Sequence, residues 1–101
     1  MPNRYAAGRR FEWKRRDYYR SMGYLVIRSA GSKTPIDLVC VKTKGRVLLV
    51  QCKAVATQAA AAKLLREFKA QPPLPQEEPS GFTQVVDVYV KATRTVISES
   101  F

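Results

Sequence analysis

The 101-residue chain has no histidine, and this absence excludes more chemistry than any single residue present suggests. Without histidine a zinc site lacks its usual ligands, and neither a Ser/His/Asp nor a Cys/His nucleophilic triad can be assembled. Cysteine is nearly as scarce: Cys40 and Cys52 are too few for a disulfide framework. No apolar run approaches the roughly 18 residues of a membrane-spanning helix, and the start, Met1-Pro2-Asn3-Arg4, has no apolar signal region. A cytoplasmic location is therefore expected, with no membrane partner, no zinc, and no haem or nucleotide cofactor. Any catalysis must draw on carboxylates, lysine, hydroxyls and a hard cation.

Acidic residues are also few, 8 against 18 Lys+Arg, leaving a formal charge of +10. Seven of the cations fall between Arg4 and Arg20, and no acid lies between Asp37 and Glu67. Such clustering suggests a polyanionic partner, nucleic acid first and an anionic membrane surface second. Arg4, Arg9, Arg10, Arg15 and Arg16 are the candidate contacts. With no internal repeat and one proline-rich interval, residues 1–101 read as a single domain able to bury one modest core.

From about Arg4 to Met22 the spacing of Ala7, Phe11, Tyr18 and Met22 predicts a helix, stopped by Gly23. Glu12 stands in it among cations, either paired with Arg9, Arg15 or Arg16 on a solvated face or kept for function. Trp13, Tyr18 and Tyr19 suit the core or a subunit contact better than base stacking. Tyr24–Arg28 reads as a first strand, Ser29 to Thr34 as a loop, and Ile36–Val41 and Arg46–Lys53 as a hairpin. Thr57 caps a second helix that runs to about Ala70, and four prolines between Pro72 and Pro79 make the next interval a loop. Phe82–Lys91 reads as a fourth strand and Arg94–Ser98 as a short fifth. This order predicts an α/β fold, a central mixed sheet flanked by helices.

Strand alternation places Gln51 and Lys53 on one face of the hairpin and Val50 and Cys52 on the other. If Asp37 shares the Gln51 face, both cysteines fall opposite it, as buried small hydrophobes rather than nucleophiles. Phosphodiester hydrolysis needs an activated water and relief of charge on oxygen, both available from a divalent cation. Mg²⁺ takes oxygen ligands and keeps several waters. Asp37 is the candidate principal ligand, with the Gln51 amide, the Cys52 backbone carbonyl and the Glu12 carboxylate as further donors, and Lys53 near the reacting phosphate.

The segments Gly8-Arg9-Arg10-Phe11-Glu12, Val26-Ile27-Arg28-Ser29-Ala30-Gly31-Ser32, Ile36-Asp37-Leu38-Val39 and Val50-Gln51-Cys52-Lys53 resemble the archaeal-type Holliday junction resolvases of the PD-(D/E)XK superfamily. The resemblance covers about half the chain. It implies a restriction-endonuclease-like fold and a homodimeric endonuclease, dependent on Mg²⁺ with Mn²⁺ as a substitute, that resolves four-way DNA junctions by paired symmetric nicks. By position it makes Glu12 the helix glutamate, Asp37 the metal-binding aspartate, Lys53 the catalytic lysine, Ser32 the loop serine near the scissile phosphate, and Arg28 a basic residue before that loop; Lys33 within the loop is a further candidate DNA contact. Gln51 departs from the glutamate usual there and subtracts one negative charge from the metal site. A nuclease of the same superfamily acting on flaps or duplex, and a non-catalytic basic DNA-binding module, are the alternatives.

Overall fold

The computed structural model describes residues 4–29, 35–72 and 81–101, with side chains of the first helix from residue 9 onward. Seven elements follow in order: α1 (Arg4–Ser21), β1 (Leu25–Arg28), β2 (Leu38–Lys42), β3 (Arg46–Val55), α2 (Gln58–Ala70), β4 (Thr83–Val90) and β5 (Thr95–Ser100). The strands form one sheet in the order β1-β2-β3-β4-β5. β1–β2, β2–β3 and β4–β5 are antiparallel and β3–β4 is parallel. A parallel step needs a crossover, and α2 supplies it. The molecule is therefore α/β with a five-stranded mixed sheet and two helices.

α1 stops through a Schellman motif. Tyr24 N–H donates to Tyr19 O and Gly23 N–H to Arg20 O, with Gly23 at φ +93°, a conformation costly for any residue with a Cβ. The accompanying apolar contact is Tyr19 against Tyr24, edge to face at 6.0 Å. The buried stripe of α1 is Phe11 and Tyr19 with the half-buried Arg15 between them, whereas Tyr18 and Met22 are 45% exposed. The expected stripe through Tyr18 and Met22 is corrected here, and Ala7 lies outside the described side chains. The reason is Asp87, a carboxylate inside the sheet that lets an arginine occupy a core-facing position.

The sheet has two apolar faces. Tyr19 and Tyr24 pack on Val26, Leu38, Cys40, Val50 and Val85, with Leu48 and Cys52 at the margin. On the other side Ala61 and Leu65 of α2 pack on Val86, Val88 and Val90. Thr57 caps α2 as its sequence suggests, its Oγ1 accepting from Ala60 N–H at 3.2 Å. Beyond the reach of α2, the same face of β1 carries Leu25 and Ile27, 67% and 54% exposed. They stand opposite Val41 and Val39, so this corner is an open aliphatic surface among the described residues. No helix among the described residues is long and apolar enough to cross a membrane.

Candidate active site

The site forms where β2 begins. Asp37 N–H donates to Val50 O, yet Val50 already pairs with Leu38, so two residues of the incoming chain oppose one of β3. That is the arrangement of a β-bulge, which interrupts alternation and re-aims a side chain. Asp37 Oδ2 then accepts the Cys52 N–H at 2.7 Å, and Glu12 of α1 lies close enough to influence the ionisation of the Asp37 carboxyl. Glu12 is itself oriented by Arg28 at the end of β1, whose Nε donates to Glu12 Oε2 at 3.2 Å. Helix, first strand, bulge and third strand thus converge on two carboxyl groups.

This differs from simple alternation, which would group Asp37 with Gln51 and Lys53. Val50 and Cys52 both pack on the α1 side, so Gln51 and Lys53 alternate toward the α2 side. The cysteines do lie together, on the α1 side, with Cys40 buried and Cys52 half-buried. The Asp37 carboxyl, however, is carried by the bulge toward Glu12 and the Cys52 peptide. Lys53 still acts on it from beside the bulge, its charge favouring the ionised carboxylate.

Burial raises Asp37 above the ordinary carboxylate range, and the Cys52 N–H, Lys53, Arg28 and Glu12 each oppose that rise without cancelling it. Two neighbouring carboxylates repel, and a cation bound between them would relieve that repulsion. Burial likewise pushes the Cys40 thiol up to about 11, assisted by Asp87. Cys52 also rises, by burial and then by the charges of Asp87, Asp37 and Glu12. Neither thiol is a nucleophile at neutral pH.

The donor set suits a hard cation. Gln51 is 7% exposed, and its Oε1 is buried without a hydrogen-bond partner among the described residues. That unpartnered oxygen projects to the α2 face of β3, opposite Glu12, so the structure does not bring Gln51 to the Asp37–Glu12 pair, contrary to the expectation from sequence. No cluster of three or more His, Cys, Asp or Glu residues occurs among the described residues, so the candidate ligands are two carboxylates and neutral oxygens. The peptide N–H of Cys52 holds Asp37; its carbonyl is the donor named from the sequence.

The predicted basic contacts divide. Arg10 is exposed, Arg9 half-buried, and Arg16 pairs with Asp17. Arg28 is engaged by Glu12, and Arg4 lies in the backbone of α1 with its side chain outside the described residues. Ser32 and Lys33 fall outside the described residues altogether. Arg15 turns inward: its Nε meets Asp87 Oδ2 at 2.9 Å and its guanidinium lies 4.1 Å from the Tyr18 ring centroid. Burial alone would lower Arg15, but the hydrogen bond and charge of Asp87 outweigh it and raise it.

Asp87 was not singled out from sequence. It is fully buried and accepts from Arg15 Nε, from Tyr19 Oη at 2.9 Å and from Ser98 Oγ at 2.6 Å. This fixes α1 to β4 and β5, one turn from Glu12. An acid within Val85-Val86-Asp87-Val88, facing a basic helix, was the available signal. Comparison with protein-family models finds no matching family, and comparison with curated proteins finds no similar sequence.

Proposed function

We propose that the protein is a Mg²⁺-dependent DNA endonuclease with a restriction-endonuclease-like fold that cuts four-way junctions. The observation carrying this reading is the convergence at the β2 bulge of Asp37, held by the Cys52 N–H, and Glu12, held by Arg28, with Lys53 acting on Asp37. Asp37 and Glu12 would hold the ion, with the Cys52 carbonyl as a neutral donor. A bound Mg²⁺ would supply an activated water and charge relief at the phosphoryl oxygens.

The chain's own residues prepare the site. The Cys52 N–H fixes the Asp37 rotamer, and Arg28 holds Glu12 toward it. The exposed Lys53 ammonium would meet the phosphate and offset charge developing on its oxygens. The cations of α1 supply sequence-independent affinity. A homodimer would place two such sites on opposed strands, and the aliphatic surface of Leu25, Ile27, Val39 and Val41 is the face available for pairing.

The test is incubation with a synthetic four-way junction, a flap and linear duplex in Mg²⁺ or Mn²⁺. Symmetric paired nicks in the junction are expected, reduced about 10²–10³-fold by Lys53→Ala while binding persists. Preferential cutting of flap or duplex would move the substrate within the same chemistry. A non-catalytic DNA-binding module, favoured by the neutral Gln51, predicts salt-dependent binding and no cutting with either ion.

A further inference from the structure

A second feature lies away from the carboxyl pair. Between α1 and the β4–β5 turn runs a groove of about 660 Å³, within the size range of ligand sites. Arg10 and Lys14 line it from the helix, Lys91 and Arg94 from the turn. None of the four has an ion-pair partner among the described residues, and all are exposed. No acid lines the groove among the described residues. Its floor includes Tyr89, half-buried and backed by Phe11 at 5.6 Å between ring centroids.

The turn offers an independent sign. Arg94 has φ +56°, the left-handed conformation, in the four-residue connection from Val90 to Thr95. A residue with a Cβ pays about 1–2 kcal/mol there, where glycine or asparagine is usual. Arg94 is thus displayed at a cost to the fold, as is Lys44 at φ +74° in the β2–β3 turn. The groove also lies close to the carboxyl site along β3. Ala54 lines it two residues along β3 from Cys52, roughly 7 Å at strand spacing.

Cations on both walls over an aromatic floor form the arrangement that holds an unpaired strand, with phosphates on the cations and a base on the ring. A duplex would present phosphates to the walls and leave the ring unused. We infer that this groove binds a single-stranded DNA segment, its phosphates on Arg10, Lys14, Lys91 and Arg94 and one base against Tyr89. This rests on the DNA-binding part of the proposed function and extends it to an unpaired strand.

The experiment measures anisotropy of a labelled oligo-dT and of a blunt duplex, in EDTA and over a salt series, for the wild type, K91Q/R94G and Tyr89→Leu. Arg94→Gly relieves the strained turn, so the double variant is expected to melt no lower than the wild type. Its oligo-dT affinity should fall at least about tenfold, with the log–log salt slope smaller by about 0.7 for each phosphate that the variant no longer neutralises. Tyr89→Leu should weaken oligo-dT by about tenfold, spare duplex, and leave the slope unchanged. Unchanged oligo-dT binding by K91Q/R94G, or equal losses on both DNAs for Tyr89→Leu, overturns the inference. Because EDTA removes catalysis, the groove result stands or falls separately from junction cutting.

Discussion

Two aspartates stand under α1, and their surroundings are opposites. Asp87 is fully buried and satisfied by an arginine, a tyrosine and a serine. Asp37 is half-buried, held by one peptide N–H, and set near the carboxyl of Glu12. Burying a carboxylate is stabilising only where donors saturate it. The first centre ties α1 to β4 and β5, and the second, with fewer donors, is the proposed cation site.

The largest expected effect separates them directly. Asp87→Ala strands Arg15 in the interior and should cost about 3–5 kcal/mol in chemical denaturation, whereas Asp37→Asn should leave stability near neutral pH equal to or above that of the wild type. Equal losses at both positions would erase the distinction.

The pH dependence sharpens it. Asp37 is raised in the folded state, so its contribution is fully present below its unfolded value near 3.8 and is lost as pH rises through its higher folded value. Asp37→Asn should flatten that part of the stability curve measured without divalent ions; an unchanged curve would show that burial of Asp37 has no such consequence. The smallest effect is at Gln51. Replacing it with methionine removes an unpartnered buried oxygen and should raise stability by about 1 kcal/mol in the absence of metal, while a loss would mean that the oxygen is satisfied in solution.

How far these centres could be read in advance follows the same division. The Schellman stop at Gly23, the Thr57 cap, the hairpin and the proline-rich connector depend on local chemistry; the stop, the cap and the hairpin were legible within a few residues, and residues 73–80 of the connector lie outside the described residues. Alternation also placed Cys40 and Cys52 together. The bulge was not legible, because a two-to-one pairing at Asp37 and Leu38 depends on register with Val50 and leaves no mark in composition. Nor was the inward turn of Arg15, since a basic helix reads as solvated until its buried partner on β4 is known. Those two features decide which way α1 faces and what Glu12 meets.

The most direct test of the contrast is calorimetric titration of Mg²⁺, and of Mn²⁺, into the wild type, Asp37→Asn and Ser98→Ala. Ser98→Ala removes one donor from Asp87 and leaves the bulge intact, so it should bind the ion as the wild type does. Asp37→Asn should show no specific heat of binding. Equal binding by the wild type and Asp37→Asn would contradict the assignment of Asp37 and Glu12 as the cation site.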